Sequence, residues 1–250
     1  MAISTPTAPL NTFDVANLGT YDTAVVVLTA NRHYFLVTHG YKTTPHGTVT
    51  SVTHDPLGTP LAFSLVTDGT TTARVGPWDA TDHRTLEIWR VKPSSTTASA
   101  LIRIIWDATQ SACGWTLVEI ATGVDDAPIV QVKNASGAAG TTASVTMSAF
   151  GATDNLTLFV AANGTGTIAP GEAFSPTEGR TELAENDETE RGDHAVHYQN
   201  PNGGDTTLNM TWVSAEDWAA IGVEIKSAVA AGKISPPIRI LQGITRASYY

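Results

Sequence analysis

The sequence predicts an all-β protein: an antiparallel β-sandwich, jelly-roll-like, with an extended C-terminal arm. Apolar residues recur with period two in many short blocks, the pattern of strands with one buried face. Gly, Pro, Asn and Asp cluster between the blocks at the spacing of short strands and turns. Thr accounts for 38 of the 250 residues, and this β-branched type suits a pleated, half-exposed surface better than a helix.

Taken in order, Thr23–Thr29 and His33–Gly40 read as a strand pair joined across Ala30-Asn31-Arg32. Thr48–His54 alternates, turns at Asp55-Pro56-Leu57-Gly58 and resumes over Pro60–Val66. Strand-like blocks follow at Arg84–Val91, Ala100–Trp106, Gly114–Val124 and Ile129–Val132, then Thr142–Phe150, Asn155–Ala162, Ala195–Gln199 and Thr206–Val213. Gly137-Ala138-Ala139-Gly140 reads as a flexible connector. Residues 217–226 fit two periods. Trp218, Ile221 and Ile225 are spaced for a helix, while Ala219, Ile221, Val223 and Ile225 line one face of a strand. The all-β context selects the strand. The expected organisation is an N-terminal lead (1–10), a sandwich domain (11–227) and a C-terminal arm (228–250).

Composition narrows the function. Hydrophobic residues make up 42% and charged residues 15% of the chain, too apolar a balance for a disordered chain. The formal net charge of −10 argues against nucleic acid or an anionic membrane as partner, since phosphate binding needs a basic surface. Cys113 is the single cysteine, so there is no internal disulfide framework and no multi-cysteine zinc site. The opening Met1-Ala2-Ile3-Ser4-Thr5-Pro6 lacks the basic start and apolar core of a signal peptide. The expectation is an acidic, soluble protein made in the cytoplasm.

Four pieces of the chain, Phe35-Leu36-Val37-Thr38-His39-Gly40, Val49–His54 with its Gly/Pro turn, Thr85–Val91, and Trp218–Ile225 as a closing strand, together resemble β-sandwich domains of tailed-bacteriophage virion structural proteins and of some bacterial surface proteins. The resemblance implies a scaffold for head decoration, tail assembly or host attachment. It implies no catalytic residue and no cofactor, and places the protein in the virion beside other virion proteins and copies of itself.

The arm has its own signature. Residues 225–250 carry four Lys and Arg and no acid, +4 against −14 for residues 1–224. Pro236-Pro237 precludes helix interior there, and Ile238, Ile240 and Ile244 alternate with Arg239 and Gln242. A basic, apolar, extended segment suits docking on a neighbouring sheet edge, so Ile234, Ile238, Arg239, Ile240, Ile244 and Arg246 are the candidate partner-binding residues.

Other candidates have plainer readings. The acidic stretch Glu178–Asp193 lacks regular calcium-loop spacing and reads as a solvated loop. His194 and His197 point to opposite faces of a strand. Trp89, Trp106, Trp115 and Trp212 read as core, whereas Trp78, after Gly76-Pro77, reads as an exposed loop ring able to stack on a sugar. Glu87 and Glu119 read as outward-facing. The expected function is therefore a non-enzymatic virion component. The second reading is a carbohydrate-binding, host-attachment module that contacts a surface glycan through Trp78. The third is a glycan hydrolase or lyase on a sandwich scaffold.

Overall fold

The computed structural model describes residues 2–42, 47–78, 83–164, 174–177, 179–186 and 192–228. The candidate arm residues Ile234, Ile238, Arg239, Ile240, Ile244 and Arg246 lie outside this set. The described strands are β1 (Thr7–Asp14), β2 (Leu18–Asp22), β3 (His33–Tyr41), β4 (Val49–His54), β5 (Leu61–Ala62), β6 (Ser64–Leu65), β7 (Arg74–Val75) and β8 (Thr85–Val91), followed by β9 (Ile102–Gln110), β10 (Ala112–Ile120), β11 (Val124–Thr146), β12 (Leu156–Asn163), β13 (Ser175–Pro176), β14 (Thr181–Asn186), β15 (His194–Gln199) and β16 (Thr207–Ser227). All pairings between these strands are antiparallel. The all-β, antiparallel expectation holds, and residues 217–226 lie within strand β16.

The layering exceeds two sheets. A central sheet runs β1-β10-β3-β8-β6, with β7 also on β8. Its middle strands β10, β3 and β8 are buried on both faces. Phe35, Val37, Leu86, Ile88, Val118 and Ile120 meet Leu158, Val160, Ile221 and Val223 of a second sheet, ordered β11-β16-β12-β15-β14. The opposite residues Tyr34, Leu36, Trp89, Trp115 and Leu117 meet Tyr21, Val52, Ile102, Ile104 and Trp106 of a third, ordered β2-β9-β4-β5. Double-sided burial explains why His33–Gly40 reads as a nearly continuous apolar run.

A fourth layer comes from the long β11/β16 ribbon. Its first part pairs Val132–Gly137 with Trp218–Val223, and its far part pairs Thr142–Thr146 with Thr207–Thr211. Register shifts flank Gly137 and Gly140 at the bend between them. The far part folds over the outer face of its own sheet, where Val145, Met147, Leu208, Met210 and Trp212 cover Phe159 and Ala161. At Gly222 a Cβ would sit 2.7 Å from Leu208 Cδ1 and 2.7 Å from Met147 Sδ. The ribbon closes that tightly.

Two local readings change. Gly137-Ala138-Ala139-Gly140 is no free connector: it lies inside β11, and a Cβ at Gly137 would come within 2.7 Å of the Trp218 ring. Small residues are needed there because an indole lies over the backbone. Thr23–Thr29 joins its sheet through a single bridge, Val26 to Ala100, instead of a full strand.

Candidate functional site

The chemistry-bearing side chains gather first at one end of the core between the central and second sheets. Trp78 is only 8% exposed, which corrects the expectation of an open loop ring. After Gly76-Pro77 the chain turns back toward β8, with Trp78 N–H donating to the Arg84 carbonyl at 3.4 Å. The indole stacks on His39, centroids 5.9 Å apart at 25°. His39 also meets His194 edge-on at 6.0 Å and Phe13 at 6.2 Å. Arg84 is fully buried, its guanidinium 4.7 Å from the Tyr41 ring centroid. Gly164 and Gly192 border it, and a Cβ on either would overlap the guanidinium.

Hydrogen bonding fixes one tautomer in this cluster. The Thr116 hydroxyl donates to Asn11 Oδ1 at 2.7 Å and lies 2.9 Å from His194 Nε2. With its single proton committed to Asn11, Thr116 must accept from His194, so Nε2 carries the imidazole proton. Burial pushes His194 down to about 3. His39 is held well below its ordinary value by burial first, then by His194 and Arg84. Both rings are neutral packing elements at pH 7. Among the described residues no group of three or more His, Cys, Asp or Glu is placed to hold a metal ion.

The carboxylates are placed differently from expectation. Glu87 faces the third sheet and is fully buried, not outward. Its sheet is central, so both faces of β8 are covered. Oε1 takes the Val49 N–H at 3.1 Å and forms an ion pair with Arg74 Nε at 2.9 Å, and Oε2 takes Trp89 Nε1 at 2.8 Å and Arg74 Nη2 at 3.2 Å. The carboxylate thereby ties β4, β7 and β8 together. Burial raises its pKa, with Arg74 pulling the other way. Glu119 sits near the surface, paired with Arg32.

Glu87 pairs with Thr38 and Glu119 with Tyr34, on opposite sides of β3. Standard strand spacings put their backbones about 17 Å apart, well beyond the ~5–9.5 Å between the carboxyls of a glycosidase pair. A further buried carboxylate, Glu224, accepts from Gln131 Nε2 at 2.7 Å, Asn155 Nδ2 at 2.6 Å and Gly151 N–H at 2.8 Å. Sequence reasoning missed this network, although a Glu in a β-branched run with amide residues on distant strands is its trace.

The remaining candidates separate. Glu182 and Glu185 belong to β14, and Asp193 is buried. Glu178, Asp187, Glu188 and Glu190 lie outside the described residues. His194 and His197 face opposite ways as expected, His197 toward Glu182 at 3.9 Å. Burial pushes His197 down to about 4. Trp89, Trp106, Trp115, Trp212 and Cys113 are core residues.

Two features face outward. A cleft of about 400 Å³ is lined by Asp55, Thr59, Pro60 and Leu61 on one wall and by the 93–98 loop, with Ser94, Ser95, Thr96 and Thr97, on the other. The second feature is the edge beyond β2. Val26 exchanges both backbone hydrogen bonds with Ala100, at 2.9 and 3.2 Å. In an antiparallel pair its neighbours then point their backbone groups away. Val25 and Val27 do so, and no hydrogen bond to either is found among the described residues. Their side chains are 63% and 43% exposed. Comparison of the chain with protein-family models, curated proteins and solved structures gave no match.

Proposed function

We propose that this chain is a non-catalytic structural subunit that assembles with copies of itself, of the kind that builds tailed-bacteriophage virions at the head surface or tail. The open edge at Val25 and Val27 carries the assembly part of this reading. Natural sheets blunt or cover their edges because unpaired strand groups recruit other chains, and this edge is uncharged from Thr23 to Thr29. The disposition of ionisable groups supports the non-catalytic part: Glu87 and Glu224 are held by hydrogen bonds that join strands. The virion setting rests on the pattern likeness alone.

Deleting residues 234–250 tests the reading. The deletion is expected to abolish assembly and leave a folded monomer by sedimentation and circular dichroism. A full-length chain that stays monomeric contradicts it, and assembly that survives the deletion removes the arm from it. In purified particles the chain should appear at fixed stoichiometry.

The hydroxyl-lined cleft beside Asp55 favours a second reading, a glycan-contacting module. A carboxylate and several hydroxyls around a concave surface offer the donors and acceptors a polyol needs. Glycan-array binding that is lost in Asp55→Ala and kept in Trp78→Phe would support it. Trp78, being buried, is no part of that surface.

A further inference from the structure

We infer that the Val25–Val27 edge receives the C-terminal segment Ile238–Ile244 of a neighbouring copy, added as an extra strand to the third sheet. The inference rests on the assembly reading above and names its receiving surface. Val25 and Val27 each present one N–H and one C=O, so an added strand can form four hydrogen bonds without disturbing the bonds Val26 makes to Ala100. Their side chains stand on the outer face, where a β-branched partner strand makes the most of cross-strand contact. Ile238 and Ile240 supply this at the matching two-residue spacing. Pro236-Pro237, which have no N–H to give, precede the pairing stretch instead of interrupting it.

Charge and chain length point to the same occupant. Residues 229–250 hold three Lys and Arg and no acid, leaving −13 on the rest of the chain, so the segment is drawn to the body of any copy. The described residues end at Ala228, whose N–H bonds the Gly123 carbonyl at 2.7 Å. Twenty-two residues follow, enough for about 70 Å when extended.

Edges of the other two sheets meet one another. Asn186 reaches the Thr12 carbonyl and Asn11 the Glu185 carbonyl where β1 meets β14. Asn134 caps the Thr72 and Arg74 carbonyls beside β7, and Asp68 takes the Val132 N–H of β11.

The test compares three full-length proteins, wild type, Val25→Lys/Val27→Lys and Ile238→Lys/Ile240→Lys, with the 234–250 deletion, all by sedimentation velocity. Both substituted pairs should weaken self-association at least tenfold, with thermal unfolding of the body unchanged. Association lost on deletion but untouched by the valine changes would overturn this edge and leave the assembly reading standing. Association lost with the valine changes but kept on deletion would mean that two edges pair with each other, which also overturns the inference. Association indifferent to every change would overturn both the edge and the arm, and a wild type that stays monomeric at every concentration would overturn the assembly reading itself.

Mild oxidation of a mixture of Val27→Cys and Ile240→Cys chains then separates neighbour from self, since the native Cys113 is buried. A disulfide-linked dimer joining the two kinds of chain supports docking between copies. A crosslink formed only within a chain carrying both substitutions, at monomer mass, overturns it.

Discussion

His194 offers a direct link between buried geometry and solution behaviour. It sits fully buried between the central and second sheets, donating from Nε2 to Thr116 at 2.9 Å, and its pKa falls from the ordinary 6.5 to about 3. A histidine depressed in the folded state stays neutral there while the unfolded chain takes up the proton. Its contribution to stability is therefore complete above pH 6.5 and declines as pH falls toward 3. At pH 5 the unfolded chain gains about 2 kcal/mol from protonating this one ring, and at pH 4 about 3 kcal/mol.

His194→Gln keeps a donor toward Thr116 and removes the titration. Urea unfolding of wild type and variant at pH 8, 6, 5 and 4 isolates the effect. The variant should be the less stable at pH 8, through imperfect packing, and the gap should close by about 2 kcal/mol by pH 5. Two parallel stability-versus-pH curves would refute the reasoning.

Three other substitutions probe the layers separately. Gly222→Val drives a side chain into Leu208 and Met147, each 2.7 Å from the first added carbon, and should cost about 1–3 kcal/mol by overpacking in urea titration. Trp78→Ala should cost about 3–5 kcal/mol in thermal or urea unfolding, as for a core ring; an unchanged melting temperature would restore the exposed-ring reading. Glu87→Gln leaves the Arg74 guanidinium without its counter-charge. The expected loss is about 2 kcal/mol, below that of a fully buried pair because the Arg74 side chain is 30% exposed. It is measured by urea unfolding at pH 7.

The β architecture was legible because alternation and turn chemistry act locally. TVTSVTH and TLEIWRV could only be strands, and both are. The number of layers was not legible, because period two tells which residues share a face and not what covers the face. Glu87 alternates correctly with Leu86 and Ile88, yet its own face is buried against the third sheet. Gly137-Ala138-Ala139-Gly140 has the composition of a linker, and only the distant Trp218 reveals why small residues belong there. Trp78 follows the same rule: His39, remote in sequence, closes over it together with Arg84. The open edge was half legible. TAVVVLT showed its apolar character, while its one-sided pairing needed Ala100 to be located.

Amide hydrogen exchange at Val25 and Val27 tests most directly whether this edge is an assembly surface. In dilute monomer both amides should exchange at nearly the rate of an unstructured peptide, while Val26, bonded to Ala100, is protected. On assembly both should slow at least a hundredfold. Free exchange of both amides in the fully assembled protein would contradict the account.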